Sequence, residues 1–258
     1  MIGYRVLLSD HVLMFAFLKR KSRSTNLDWM QTDIHAHLLP GLDDGVSDIE
    51  TAILAMRKLQ ALGILHFYAT PHVSLDIYPN DAQSILSKWR VVQKSCAVHL
   101  PDVTLGTAAE YMVDSNFPVL YQSEQLLSLP QKHILVEMSY AAESIQLENH
   151  LFELNIRGYQ VVLAHPERYF FYHKNPDRYQ DLKSQGCLFQ MNLLSPAGYY
   201  GSHVRKAALH LLHRGMVDFV GTDLHHLAHL SAIEKWVLSG DATEAFKRNP
   251  IKNRTLLG

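Results

Sequence analysis

The strongest constraint on this chain is a rhythm in which short β-rich runs alternate with helix-like segments from residue 29 onward. The apolar or β-branched runs lie at residues 32–35, 64–70, 103–108, 133–137, 160–164, 187–191 and 217–222. Between most of them apolar residues recur at helical spacing, at residues 80–100, 144–157, 176–185 and 203–214. The first helical segment opens on Ser47-Asp48-Ile49-Glu50, which predicts a capping box with Ser47 as the cap. Ile49, Ile53, Met56 and Leu59 then follow at helical spacing, and Gly63 is placed to end the helix. Strands joined through helices pair in parallel, because a parallel crossover needs a connection of about a dozen residues. Seven such units predict an α/β fold in the form of a closed or nearly closed barrel. A parallel barrel typically takes about 250 residues, so a chain of 258 accommodates one such domain.

What stands at the end of each run carries the chemistry. The first ends in Asp33-Ile34-His35-Ala36-His37 and the second in Thr70-Pro71-His72. The third leads to Glu110, the fourth to Glu137, and the fifth to His165-Pro166-Glu167-Arg168. The sixth closes on Gln190-Met191-Asn192 and the seventh on Asp223-Leu224-His225-His226. In a parallel barrel every strand's carboxyl end opens on the face that carries the active site. A lone histidine there is usually a structural hydrogen-bonder, but six of seven strand ends supply an imidazole or a carboxylate. Alternate residues of a strand share a face, so His35 with His37, and Asp223 with His225, are spaced to share a metal ion. Mixed nitrogen and oxygen ligands suit manganese, iron or zinc, with magnesium at the carboxylate-rich end. So many ligands exceed the needs of one ion and point to two or three. Arg168 is placed beside them as a bidentate clamp for a phosphate group.

Composition narrows the partners. A net charge of −1 offers no general attraction to nucleic acid or to anionic lipid. Cys96 and Cys187 are too few for a disulfide framework. Neither has an arginine six residues on, where Asp102 and Leu193 stand, so a Cys-x5-Arg phosphatase loop is excluded. The longest apolar run near the start, residues 12–18, is far short of the roughly 20 needed to span a bilayer. No small-residue cleavage site follows it, only Lys19-Arg20-Lys21-Ser22-Arg23. Residues 1–26 are therefore expected to form a poorly ordered arm, with Met14 as an alternative start and 27–258 as the domain. A cytoplasmic location is expected, with any membrane proximity arising through a partner.

Four strings carry a resemblance to a known family: His35-Ala-His37-Leu-Leu-Pro-Gly-Leu-Asp43-Asp44-Gly45, Thr70-Pro-His72, Ala164-His165-Pro-Glu-Arg168-Tyr169 and Thr222-Asp223-Leu-His225. In order and spacing they resemble the PHP (polymerase and histidinol phosphatase) superfamily. Within it, the sequence is most similar to the CpsB/CapC-type tyrosine-protein phosphatases of bacterial capsule and exopolysaccharide systems. The resemblance runs from about Asp28 to the C-terminus. It implies a distorted (β/α)7 barrel with three metal ions at the rim, manganese foremost. It also implies how the ligands divide. His35, His37, Glu110 and Asp223 would hold the first ion, and Glu110, Glu137 and His165 the second. Asp44, His72 and His225 would hold the third, the choice of Asp44 over Asp43 and of His225 over His226 coming from the family. Many relatives carry an arginine shortly after the Asp-x-His motif, where this chain has Leu227-Ala228-His229-Leu230. Phosphate binding is then expected to rest on Arg168, with His229 as a partial substitute and a possible proton donor.

The activity implied is hydrolysis of phosphotyrosine, on the C-terminal tail of a bacterial tyrosine autokinase that regulates polysaccharide export. The alternative within the superfamily is a small-molecule phosphomonoesterase of histidinol-phosphatase type. A nuclease lacks support from the charge balance, and a silent metal-binding scaffold is at odds with a complete ligand set.

Overall fold

Local chemistry accounts for where the elements begin and end, in a computed structural model that describes residues 24–123 and 126–257. The strands are β1 (Thr32–Ala36), β2 (His66–Ala69), β3 (His72–Val73), β4 (Thr104–Thr107), β5 (Glu110–Met112), β6 (His133–Glu137), β7 (Gln160–Ala164), β8 (Leu188–Asn192) and β9 (Phe219–Gly221). The helices are α1 (Ile49–Ala61), α2 (Ala82–His99), α3 (Phe117–Gln122), α4 (Leu147–Ile156), α5 (Asp177–Ser184), α6 (Ser202–His213), α7 (Leu227–Leu238) and α8 (Asp241–Phe246). The arm expected over residues 1–26 lies outside the described residues except for 24–26.

Helix α1 starts one residue later than the capping box implied. Its cap is Asp48, whose Oδ1 accepts from the Thr51 amide at 2.7 Å, while the Ser47 hydroxyl donates to Asp48 Oδ2. A carboxylate at the cap also opposes the helix dipole, which a serine does not. Helix α2 carries the reciprocal box instead, between Asp81 and Ser84. Gly63 follows α1 with φ +104°, a conformation that glycine adopts without strain.

The named strands pair in parallel, in the orders β1-β2-β4 and β3-β5-β6-β7-β8-β9. The runs read as single strands at 64–70 and 103–108 are each continued by a further short strand. Pro71, which has no N–H to donate, separates β2 from β3, and Ala108-Ala109 separate β4 from β5. His66 faces Thr104 and His72 faces Glu110, an unchanged offset of 38 residues, so the interruption does not alter the register. At the other end, Asp223 N donates to His35 O at 2.8 Å and His37 N to Leu224 O at 3.0 Å, drawing the exit of β9 against β1. The result is a curved parallel sheet whose carboxyl edges converge.

Alternate strand residues divide between two apolar clusters. Ile34, Leu135, Val162, Ala164 and Phe219 form a small one of their own. Their neighbours Val136, Val161, Leu163 and Val220 join a much larger one with the buried faces of the helices. Burial on both faces explains why these strands read as continuous apolar runs rather than alternating ones. No helix among the described residues is long and apolar enough to cross a membrane.

Candidate metal centre

Strand β1 leaves the sheet at His35 and His37, both fully buried. The pairing of β1 with β2 slips by one residue between Asp33 and Ala36. Such a bulge re-aims side chains, and here the two imidazole Nε2 atoms end 3.3 Å apart. The neighbouring backbone must come close for this. A Cβ on Gly221 of β9 would lie 2.5 Å from the His35 Cβ, so only glycine fits that position.

Glu110, at the start of β5 and fully buried, is the hub. Its Oε2 lies 3.1 Å from His35 Nε2, 3.1 Å from His72 Nδ1 and 3.5 Å from His37 Nε2. Its Oε1 lies 3.2 Å from His165 Nε2. Glu137, the last residue of β6, brings Oε1 to 2.7 Å from His72 Nδ1. Asp223 places Oδ1 3.5 Å from Nε2 of both His35 and His37 and 3.4 Å from His225 Nδ1. Asp44, on the loop after β1, is more open, with Oδ1 3.6 Å from His72 Nε2 and 3.7 Å from His225 Nε2. All nine residues singled out in the sequence as ligands thus meet in one place. Two of them, His165 (φ 35°) and Asp223 (φ 51°), hold a left-handed backbone that side-chain-bearing residues rarely adopt. Such strain concentrates at functional sites.

The donor set fits divalent cations. Both carboxylate oxygens of Glu110 are buried without a properly directed hydrogen bond, although four imidazole nitrogens crowd within 3.5 Å. A buried carboxylate left so is costly unless a cation completes it. The outer ring nitrogens show why the inner ones are free to ligate. His35 Nδ1 lies 2.7 Å from Gln190 Oε1, His37 Nδ1 2.7 Å from Asp43 Oδ2, and His225 Nδ1 2.9 Å from the Asp223 carbonyl. Each acceptor holds the proton on Nδ1 and leaves the Nε2 lone pair facing the centre, the usual outer support of a metal-binding histidine. Four overlapping groups bring three donor atoms within 4.8 Å of one another. They are His37, His72 and His225; His35, Glu110 and His165; His35, His37 and Asp223; and His72, Glu110 and Glu137.

Electrostatics says the same. Burial works to raise the pKa values of Glu110 and Asp223, but the charge of His35 and the surrounding imidazoles hold both well below the carboxylate range. Burial would lower His72, yet Glu110 and the bond to Glu137 raise it to about 10. His225, buried beside His37, is instead lowered to about 4. The protein on its own therefore balances its carboxylates with imidazolium protons, which a metal ion displaces on binding.

Several contributors escaped the sequence. Asp43 does not face the centre; besides His37 it accepts from the backbone amides of Gly45 and His72 and so ties the loop to β3. Strand β8 brings amides in place of ligands. Gln190 Nε2 donates to Asn192 Oδ1, and Asn192 Nδ2 donates to Asp223 Oδ2 at 2.6 Å. The Asn192 amide in turn donates to Glu167, which also accepts from the Ser195 hydroxyl. Glu167 is thus committed to the interior, not paired with Arg168. The string Gln190-Met191-Asn192 was the available signal, at the one strand end without a ligand.

Arg168 sits on a 3-10 turn, Pro166–Arg168, with its guanidinium 4.9 Å from the Tyr140 ring centre and 4.6 Å from that of Tyr200. Its Nη1 donates to Asp223 Oδ2 at 3.1 Å. The side chain remains partly exposed to a cavity of about 500 Å³ that Asp44, His72, Glu137, His165 and His225 also line. His229 lines the same cavity, but burial lowers its pKa to about 4 and its Nδ1 accepts from the His225 amide. A neutral imidazole cannot replace the charge of an arginine, nor serve as an acid near neutral pH.

Comparison with known proteins places the chain in a family. Residues 31–232 match the family model for capsular polysaccharide synthesis, CpsB/CapC. The chain is 30% identical over 203 residues to the tyrosine-protein phosphatase YwqE of Bacillus subtilis, covering 76% of this chain and 77% of that one. It is also similar to a crystal structure described with YwqE from Bacillus subtilis and CpsB from Streptococcus pneumoniae as metal-dependent tyrosine phosphatases. There the TM-score is 0.72 at 25% identity, over 85% of this chain and 96% of that one. A histidinol phosphate phosphatase from Lactococcus lactis shares the fold at 11% identity, with a TM-score of 0.51 over 82% of this chain and 94% of that one. The chain belongs to the CpsB/CapC family of capsular polysaccharide synthesis.

Proposed function

We propose that this protein is a metal-dependent protein-tyrosine phosphatase. The observation that carries it is the buried, cation-demanding cluster around Glu110, open to a cavity that also holds Arg168. The proposed division of ligands is His35, His37, Glu110 and Asp223 for one ion, and Glu110, Glu137 and His165 for a second. Asp44, His72 and His225 complete a third. The overlapping donor groups support three positions, and the nitrogen-oxygen set suits manganese, with iron, zinc or magnesium as alternatives. We likewise take the curved sheet as a (β/α)7 barrel, counting β2 with β3 and β4 with β5 as single staves.

Divalent ions bound there supply a water-derived nucleophile near neutral pH and neutralise charge on the phosphoryl group. The chain's own residues do the rest. Arg168, held between Tyr140 and Tyr200, presents donors to phosphoryl oxygens along the cavity wall. Asn192 and Arg168 both hold Asp223 Oδ2, which aims Oδ1 at the imidazoles. Ile77, Tyr78, Met112 and Tyr140 give the cavity apolar walls for an aromatic ring. The departing phenolate, of pKa about 10, needs less protonation than an alkoxide. The thiols take no part: Cys96 and Cys187 are buried, and burial pushes Cys187 up to about 12.

The proposed natural substrate is phosphotyrosine on a bacterial tyrosine autokinase, acting in capsule or exopolysaccharide synthesis, in the cytoplasm. Its support is the family's association with capsular polysaccharide synthesis. The test compares turnover of a phosphotyrosine peptide with that of histidinol phosphate by manganese-loaded protein. A large preference for the peptide is expected; a large preference for histidinol phosphate would overturn the assignment.

A further inference from the structure

The cavity at the metal centre borders two others in series. It shares Tyr140, Arg168 and Tyr200 with a second cavity of about 300 Å³, which shares Phe170 with a third of about 680 Å³. The third is the largest of the three, and no metal ligand lines it.

Its chemistry is one-sided. Phe170, Tyr172, Tyr179 and Ala207 supply apolar walls, and Phe170 is 56% exposed. Around them stand two lysines and three histidines, with no carboxylate in the lining. Neither Lys174 nor Lys206 is paired with a carboxylate among the described residues. Helix α6 explains part of this. His203, Lys206 and His210 fall at i, i+3 and i+7, so they lie on one face, while Ala208 and Leu211 are buried on the other side and Val204 lines the second cavity. Lys174 follows the 3-10 turn Phe170–Tyr172, which itself comes two residues after Arg168. The cationic lip is therefore tied by sequence and by a shared wall to the residue that meets the phosphoryl group.

We propose that this groove binds the polypeptide flanking the scissile phosphotyrosine and selects flanks that carry carboxylate side chains. The inference rests on the phosphotyrosine reading of the metal centre and adds to it a specificity site outside the reacting atoms. A phosphotyrosine seated on the metals must pass its own chain out of the cavity, and the small cavity that shares Arg168 with the centre shares Phe170 with this groove. The face from His203 to His210 is about 10 Å long, the length of about three extended residues. That face can therefore read a span of about three residues of the flank. Aromatic walls suit the aliphatic stems of such residues, and unpaired lysines suit their charge. A neutral overall balance makes this local excess of cations selective rather than general.

The test uses the full chain loaded with manganese and three phosphotyrosine peptides of equal length, flanked by Glu, by Gln or by Lys. kcat/KM is expected to fall in that order, by about 10-fold or more from the first to the last, chiefly through KM. In Lys174→Glu with Lys206→Glu the order is expected to reverse; the single Lys206→Gln variant, which is milder on folding, is expected to shrink the preference. Equal turnover of the three peptides by the native protein would overturn the proposal. So would a preference that survives unchanged in these variants while circular dichroism shows them folded. Para-nitrophenyl phosphate, which has no flanks, separates the two levels. If the native protein hydrolyses neither it nor any peptide, the phosphatase assignment fails and the groove's role falls with it. If it hydrolyses that ester but does not distinguish the peptides, only the groove's role is contradicted.

Discussion

Gln190 illustrates how much of this site is held by residues that touch no metal. Its Oε1 keeps the proton of His35 on Nδ1, and its Nε2 supports Asn192, which in turn supports Asp223. Removing such outer partners typically costs about 10- to 100-fold in metal affinity. Gln190→Ala is therefore expected to weaken manganese binding by that order with little change in fold, measured by competition against a chelating indicator. Affinity equal to the native protein's would show that the amide does not orient His35. His72 gives a second expectation. Its pKa is raised to about 10 by Glu110 and Glu137 against the effect of burial, so it is protonated near neutral pH in the metal-free protein. His35 and His37 are raised as well, so binding must expel protons from the cluster and weakens as pH falls. Isothermal titration at pH 8 and pH 6 should then show clearly lower manganese affinity at the acid end. An affinity flat in pH would mean that no proton is displaced.

At the scale of elements, the strands were legible because burial on both faces writes them as apolar runs. Eight of the nine candidate ligands were legible because each stands at or just beyond the end of such a run, and Asp44, on the loop after β1, came from the family resemblance. What the sequence did not show depends on contacts between distant segments. Asp43 is drawn to His37 Nδ1 at 2.7 Å, a contact that no local pattern encodes. The bulge in β1 arises from its pairing with β2, and the breaks at Pro71 and Ala108-Ala109 leave the register unchanged. Helix α3 was not anticipated, since six residues are too few to establish a helical period. The start of α1 was misplaced by one residue because Ser47 and Asp48 are both good caps and only the bond to Thr51 decides. That correction is testable. Asp48→Ala is expected to lower the midpoint of urea unfolding measurably, and Ser47→Ala clearly less. The reverse order would return the cap to Ser47.

For the whole molecule, the curved parallel sheet matters because it gathers groups that lie far apart in the chain, from His35 to His225, at one carboxyl edge. Scarcely any of the ligands could serve alone. Glu110 is surrounded by histidines from β1, β3 and the exit of β7, and Asp223 reaches back to β1 only because β9 lies against it. The same curvature runs the cavity past Arg168 and along α6, which joins the reacting centre to the surface that meets a polypeptide. The ion-holding cluster is thus largely buried, while the cavity beside it is open to solvent. The central claim is that ions held by this cluster perform phosphotyrosine hydrolysis. Its most direct test is the phosphotyrosine-peptide kcat of Asp223→Ala at saturating manganese, with circular dichroism and metal content measured on the same sample. The expected result is a folded protein with reduced metal content and kcat lower by about 1,000-fold or more, because one ligand and the anchor of Arg168 are lost together. A folded variant with near-native kcat would contradict the account.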